Sequence, residues 1–189
     1  MFQIFERINT GGRTLKAQEI RNCVYQGKCN DLLFELNKHD SWRKILGLNV
    51  EDSRMADLEL ILRYFAMRDL HIRNEGQLKQ INLAKYLNQY MGDKTNSTEE
   101  DILNMKQDFI TMIDKVYELL GKNAFKNLKK ESENFASKIN PAIFDAISVA
   151  TSYAIKTEYK FTEENYLEKY KRLLKNEEFH RASSSRTTN

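Results

Sequence analysis

The chain has little of what turn-rich or disulfide-bonded folds require. Its 189 residues include one proline, seven glycines and two cysteines. Sandwiches and barrels need many tight turns, which depend on glycine, proline and asparagine. Cys23 and Cys29 occur in a chain that is large enough to fold without disulfides, so a reduced, cytoplasmic protein is expected. The predicted architecture is therefore long helices joined by polar loops.

Other absences narrow the class of protein. The sequence has no run of eighteen apolar residues and no signal-peptide pattern at its start, so no membrane partner is expected. The histidines His39, His71 and His180 are far apart, and no metal site is predicted. The chain also lacks the common phosphate-loop and nucleophile-elbow motifs. Its composition therefore does not by itself indicate an enzyme.

The apolar content is sufficient for a folded core. Hydrophobic residues make up 41% of the chain and aromatic residues 11%, which excludes global disorder. The net charge is +3, from 30 basic and 27 acidic side chains. A charge this small neither requires nor excludes a nucleic-acid partner, because a few cations can form a local patch.

Helical periodicity runs through most of the chain and predicts an all-α fold. We expect a single irregular bundle of about eight helices in one domain over residues 1–178, followed by a mobile tail at 179–189. A short extended pair is possible near 122–138. The main predicted helices cover residues 2–9, 16–26, 41–46, 53–69, 98–120 and 142–155, with others after Asn30, Asn82 and Thr162.

Several residues predict where these helices begin and end. Gly27 is expected to end the helix over 16–26, and Gly121 the one over 98–120. Ser97 with Glu100 has the spacing of a capping box, and Asn140 before Pro141 is a typical helix start. Asn30, Asn82 and Thr162 are the other predicted caps. Cys23, beside an apolar helix face, is expected to be buried.

The helical spacing of Phe2, Ile4, Phe5 and Ile8 starts at once, without a capping residue or a leading loop. We therefore expect the chain to be part of a longer protein. After this segment, Gly11 and Gly12 precede a helix, where they can expose backbone amides to an anion such as phosphate. The alternative is a tight turn between helices, and composition leaves both open. The pocket candidates are Phe5, Arg7, Asn9, Thr10, Gly11, Gly12 and Arg13.

Charged residues on an apolar helix face form a second candidate set. Glu59 shares a face with Leu58 and Leu62, and Arg63 follows four residues later in the favourable orientation. Arg54 is a cation where a first helical turn is predicted, which the helix dipole disfavours. The set Arg54, Glu59 and Arg63 is either a structural ion-pair network or a functional polar cluster.

Basic residues towards the end of the chain could contact DNA. The alternative for such charges is an ordinary solvated surface. The DNA-contact candidates are Lys122, Lys126, Lys129, Lys130, Arg181 and Arg186.

Two blocks of sequence resemble one bacterial family. The first contains Ile4, Phe5 and Asn9 in an Ile-Phe-x-x-x-Asn pattern, the Gly11-Gly12 pair and the run Gln18-Glu19-Ile20-Arg21-Asn22. The second is Asp52-Ser53-Arg54-Met55 with Glu59 to Ala66. These blocks resemble the N-terminal domain family of the GmrSD modification-dependent restriction endonucleases. Members of that family are ParB/sulfiredoxin-like at their start and helical afterwards.

The resemblance implies a component of restriction or antiphage defence. In the family, the ParB-like part is associated with NTP binding or hydrolysis, with Mg²⁺, and an HNH-type nuclease partner often cuts DNA. Residues 1–27 would be the end of the ParB-like region. The family's Asp-Gly-Gln-Gln-Arg motif does not occur in these 189 residues. We therefore expect the chain to need a ParB-like portion as a partner, to hold no cofactor alone and to be inactive alone, with its catalytic residues unknown.

Two other functions remain open from the sequence. The first is a non-catalytic helical module that binds a partner protein. The second is a nucleic-acid-binding regulator, although no helix-turn-helix with a basic recognition helix stands out.

Overall fold

Helices account for most of the regular structure. The computed structural model describes residues 14–48, 50–73, 81–129 and 132–184. The helices in these ranges are α1 (Ala17–Val24), α2 (Lys28–Asn37), α3 (Asp40–Leu46), α4 (Ala56–Arg73), α5 (Leu83–Asp93), α6 (Glu99–Leu120), α7 (Pro141–Lys156), α8 (Glu163–Lys175) and α9 (Glu177–Ser184). One antiparallel hairpin joins β1 (Lys126–Leu128) to β2 (Phe135–Ile139). The predicted all-α class and the short extended pair are both confirmed. No helix within the described ranges is long and apolar enough to cross a membrane.

Several helix boundaries lie where caps and glycines predict them. The Asn82 side chain accepts a hydrogen bond from the Lys85 amide at 3.0 Å, at the start of α5. Asn140 Oδ1 accepts one from the Ala142 amide at 2.9 Å, at the start of α7. Helix α6 ends before Gly121, whose φ of 53° disfavours a side chain. These predictions are confirmed because each depends on local chemistry alone.

Two boundaries near Gly27 differ from the prediction. Helix α1 already ends at Val24, and Gly27, with a φ of 129°, directly precedes α2 instead of ending α1. Asn30 is not a cap, because α2 begins at Lys28 and Asn30 is buried inside it. A glycine with positive φ can precede a helix as well as follow one, and composition did not distinguish the two positions.

The capping box of α6 is displaced by one residue. Thr98 Oγ1 accepts a hydrogen bond from the Asp101 amide at 3.1 Å, and Asp101 Oδ2 accepts one from the Thr98 amide at 2.9 Å. The predicted pair was Ser97 with Glu100. Both pairs have the same spacing, so the sequence motif alone could not select the register.

The described residues divide into two compact units. The first unit comprises the described parts of Met1–His39 and Asn49–Phe109, and the second those of Asp40–Leu48 and Ile110–Asn189. In the first unit, the rings of Tyr64, Phe65 and Phe109 lie 5.1 to 6.1 Å apart and are fully buried. This aromatic centre anchors α4 in the core of the first unit.

The second unit has its own aromatic core. Phe144 of α7 contacts Trp42 at a centroid distance of 5.6 Å and Phe125 at 4.8 Å. The hairpin lies against α8, where Phe135 stacks on Tyr170 with centroids 5.9 Å apart. The Tyr170 hydroxyl also donates to the Lys126 carbonyl at 2.9 Å. Apolar burial and one backbone hydrogen bond therefore position the hairpin.

The helical part continues beyond the predicted boundary at 178. Residues 179–184, expected in the tail, belong to α9, while residues 185–189 lie outside the described ranges. Asn176 Oδ1 accepts a hydrogen bond from the Phe179 amide at 2.9 Å and so caps this helix. Ser183 is 2% exposed, and its carbonyl accepts from Asn140 Nδ2 at 3.4 Å. The assignment of one helical domain to 1–178 stays a prediction.

A buried ionic network lies within the first unit. Arg68 donates to Asp69 Oδ1 from Nη2 at 2.9 Å and to Asp108 Oδ2 from Nη1 at 2.5 Å. The Tyr90 hydroxyl donates to Asp69 Oδ2 at 2.8 Å. Burial alone would raise the pKa of Asp69, but the Arg68 charge and these hydrogen bonds outweigh burial and lower that pKa. Burial and the neighbouring Asp69 charge raise the pKa of Tyr90.

The two cysteines have opposite environments. Cys23 is exposed, so its predicted burial is wrong, whereas Cys29 is buried. Burial raises the pKa of the Cys29 thiol to about 11. Cys29 is therefore a protonated core residue at neutral pH and not a nucleophile.

Candidate functional site

The predicted anion-binding turn lies outside the described residues. This applies to the whole set: Phe5, Arg7, Asn9, Thr10, Gly11, Gly12 and Arg13. The described chain starts at Thr14, where a polar cluster joins α1 to the start of α4 within the first unit. This α1–α4 cluster consists of Gln18, Glu19, Arg21, Asn22, Asp52, Arg54, Met55, Asp57, Glu59 and Asn88.

Arg21 is the centre of the α1–α4 cluster and is only 1% exposed. Its Nε donates to Asn88 Oδ1 at 2.8 Å, and its Nη1 donates to Glu59 Oε2 at 2.9 Å and to Gln18 Oε1 at 3.1 Å. Burial lowers the pKa of Arg21, and the Glu59 charge opposes this shift. Because an arginine starts from a very high pKa, the guanidinium stays charged and paired with Glu59.

Helix α1 is attached mainly through polar contacts. It has eight residues, and those buried are Gln18, Ile20 and Arg21. A helix this short is not stable in isolation, so packing must hold it in place. Of the three buried side chains only Ile20 is apolar. Asn22 Nδ2 adds a contact to Met55 Sδ at 2.7 Å, but the Arg21 hydrogen bonds are the main connection to the rest of the unit.

The turn before α4 is strained and is held by Asp57. Met55 has a φ of 59°, a left-handed conformation that is uncommon for a residue with a side chain. This conformation explains why α4 begins at Ala56 and not at the predicted residue 53. Asp57 is 2% exposed, and its Oδ2 accepts from Asn37 Nδ2 at 3.0 Å and from the Asp52 amide at 2.9 Å. The buried carboxylate thus fixes the turn.

Arg54 connects this turn to the start of α1. It precedes α4, so the predicted position in a first helical turn is wrong. Arg54 Nη2 donates to the Thr14 carbonyl at 2.6 Å. Its Nε lies 3.2 Å from Glu19 Oε2, an ion-pair distance without hydrogen-bond geometry. Arg54 therefore holds the backbone directly after Arg13.

The structure gives Glu59 a partner that the sequence reasoning missed. Helical spacing predicts Arg63, four residues downstream, as a partner, and the structure pairs Glu59 with Arg21, 38 residues away in sequence. Arg63 is near the same pair, because its charge adds to burial in lowering the Arg21 pKa. A signal for Arg21 was present, since it lies four residues after Ala17 and three before Val24. That spacing places it on the predicted apolar face of α1.

The charged side chains of the α1–α4 cluster position helix α1. The cluster contains two arginines (Arg21 and Arg54) and four carboxylates (Glu19, Asp52, Asp57 and Glu59). Arg21 is closed to solvent, so it orients α1 and does not contact a ligand. The arrangement can fix the adjoining backbone, as the hydrogen bond from Arg54 to the Thr14 carbonyl shows.

The basic candidates are spread over several elements of the second unit. Lys122 lies in the 3₁₀ turn Gly121–Asn123 and Lys126 in β1. Burial and the charge of Lys122 lower the pKa of Lys126, so these two lysines are neighbours. Lys129 follows β1, and Arg181 on α9 forms an exposed ion pair with Glu177 at 3.7 Å. Lys130 and Arg186 lie outside the described residues.

Neither metal chemistry nor known relatives identify the cluster. Across residues 14–48, 50–73, 81–129 and 132–184, no group of three or more His, Cys, Asp or Glu side chains could hold a metal ion. Comparisons with protein-family models, with curated proteins and with solved structures found no match. The family resemblance of the two sequence blocks therefore stays a prediction.

Proposed function

We propose that this chain is the helical part of a bacterial modification-dependent restriction or antiphage protein. The complete protein would bind or hydrolyse an NTP and act on DNA. The observation that supports this is the α1–α4 cluster, because it unites the two blocks that carry the resemblance. Arg21 and Asn22 of the first block bind Glu59 and Met55 of the second. This contact is what the proposal requires, because the two blocks would otherwise have no structural relation.

In this proposal the cluster supports a nucleotide pocket formed by residues just before α1. Arg54 binds the Thr14 carbonyl, so it would fix the exit of the Gly11-Gly12 turn. Backbone amides of such a turn can bind phosphate oxygens, and the Asn9 amide can both donate and accept. A ParB-like portion with Asp-Gly-Gln-Gln-Arg would complete the pocket for an NTP with Mg²⁺, and an HNH-type nuclease would cut DNA.

Replacing Asn9 with alanine is expected to abolish phage protection by the complete protein, because alanine can neither donate nor accept the pocket hydrogen bonds. The measurement is the plating efficiency of a phage with modified bases on cells that express the complete gene. Asn104→Ala changes an exposed amide on α6 and is the matched control, for which protection should be retained. The isolated chain is expected to hydrolyse no NTP.

Two results would contradict the proposal. One is protection that persists in Asn9→Ala or that acts equally on a phage with unmodified DNA. The other is Asn9-dependent NTP hydrolysis by this chain alone, which would show that no further portion is needed.

The Lys122–Lys126 pair supports DNA as a partner. Burial and then the Lys122 charge lower the pKa of Lys126, an anion beside Lys126 would offset this effect, and duplex DNA supplies phosphates. We expect binding to duplex DNA that weakens steeply with salt. In the double variant Lys122→Ala/Lys126→Ala, the negative slope of log K against log salt should become shallower by about 2. The control Lys156→Ala/Lys160→Ala removes two exposed lysines of the same unit and should leave the slope unchanged. Absent or salt-independent binding would favour the protein-interaction module instead.

A further inference from the structure

A cavity of about 240 Å³ lies within the second unit, between α7 and α8. Helix α7 lines it with the small side chains of Ala150 and Ala154, which leave the space open. Tyr159 and Phe161 from the loop after α7, and Tyr166 from α8, line another part of the wall, to which Thr162 and Asn165 add polar side chains. The cavity is thus bounded by methyl groups on one side and by aromatic rings on the other.

The three rings form a continuous aromatic wall. The centroids of Tyr159 and Phe161 are 5.3 Å apart in an edge-on arrangement, and those of Phe161 and Tyr166 are 5.7 Å apart. The Tyr166 hydroxyl is hydrogen-bonded to Thr151 Oγ1 at 2.7 Å, and the Tyr159 hydroxyl accepts from Lys169 Nζ at 2.7 Å. Because both hydroxyls already have partners, the wall offers mainly ring surface to a ligand.

The size of the cavity and the adjacent charge define the ligand further. An apolar cavity of about 150 Å³ holds benzene, so this one has room for two fused rings. Lys169 lies at the rim, with its Nζ 5.2 Å from the Tyr159 ring centroid. Within the described ranges its ammonium contacts the Tyr159 hydroxyl and the Tyr159 ring, which are both neutral. The ammonium has three donors, so it can also bind an anion.

We propose that this cavity binds a flat two-ring aromatic group with one anionic substituent. The rings would lie between α7 and the aromatic wall, and the anion would pair with Lys169. Most of the lining is apolar, which favours an aromatic hydrocarbon over a nucleobase, while Thr162 and Asn165 are the lining side chains that could bind a polar ring edge. This inference does not depend on the proposed function.

Calorimetric titration of the full chain with 2-naphthoate tests the proposal. We expect saturable one-to-one binding with a Kd on the order of 0.1–1 mM. Ala154→Leu fills the cavity and should abolish binding. Lys169→Met should weaken 2-naphthoate about 2- to 5-fold and leave the neutral analogue 2-naphthalenemethanol unaffected. Lys156→Met, an exposed lysine of α7, is the matched control and should bind as the original chain does.

Each other outcome overturns part or all of the proposal. If binding does not saturate, the cavity is not the binding site. The same follows if Ala154→Leu has a normal circular dichroism spectrum and binds 2-naphthoate unchanged. If Lys169→Met binds 2-naphthoate as tightly as the original chain does, the ligand needs no anionic substituent. Tighter binding of AMP than of 2-naphthoate would identify a nucleobase site instead. Because Lys169 is exposed, its variant remains informative even if Ala154→Leu does not fold.

Discussion

Replacing Arg21 with alanine is expected to release α1 from the first unit. The free energy of unfolding should fall by about 3 kcal/mol, the lower end of the range for removing one partner of a buried ion pair. The lower end applies because the Glu59 side chain is 32% exposed and regains water when Arg21 is lost. Asn88 and Gln18 also lose a hydrogen-bond donor. Urea unfolding gives the magnitude, and amide hydrogen exchange of α1 shows where the effect lies.

The control for this prediction is another cation of the first unit. Lys28→Ala removes an ion pair with Glu99 whose side chains are 50% and 82% exposed. Its effect should stay below about 1 kcal/mol. A Glu59→Gln variant completes a double-mutant cycle with Arg21→Ala, and positive coupling is expected because the two groups are in contact. Unchanged exchange protection in α1 after Arg21→Ala would show that other contacts attach this helix.

Features that depend on neighbouring residues could be predicted from the sequence. Asn82, Asn140 and Gly121 act through caps or backbone conformations that involve a few adjacent residues, so the boundaries of α5, α6 and α7 follow from local chemistry. Thr98 shows the limit of such reasoning. Two overlapping motifs satisfied the same rule there, and only the folded chain selects one of them.

The candidate site was harder to predict because it depends on contacts between distant segments. Arg54 and Glu59 were identified as unusual, but their partners, Thr14 and Arg21, lie 40 and 38 residues away. The positive φ of Met55 was also hidden, since nothing in its residue type favours that conformation. A charged residue on an apolar helix face signals a buried pair, but the helical spacing does not name the partner.

The ionic network of the first unit gives a prediction that depends on pH. Asp69→Asn keeps the shape of the side chain but removes the charge beside Arg68, and is expected to reduce the free energy of unfolding by about 2–4 kcal/mol at neutral pH. The folded-state pKa of Asp69 is lowered, so the stability it adds is present above its unfolded pKa of about 3.9 and is lost as the pH falls further. The difference between the two proteins should therefore shrink below about pH 4.

Urea unfolding at about pH 7, 5 and 3 measures this difference directly. Glu35→Gln is the control, because Glu35 forms an exposed ion pair with Lys106 in the same unit and should change stability by less than about 1 kcal/mol. Tyr90→Phe separates the Tyr90 hydrogen bond from the ion pairs that Asp69 forms with Arg68 and Lys94. It removes one hydrogen bond and should cost about 1 kcal/mol, yet it keeps the charge pair and hence most of the acid dependence. A loss in Asp69→Asn that stays constant down to about pH 3 would mean that side-chain packing, and not the charge beside Arg68, makes this residue stabilising.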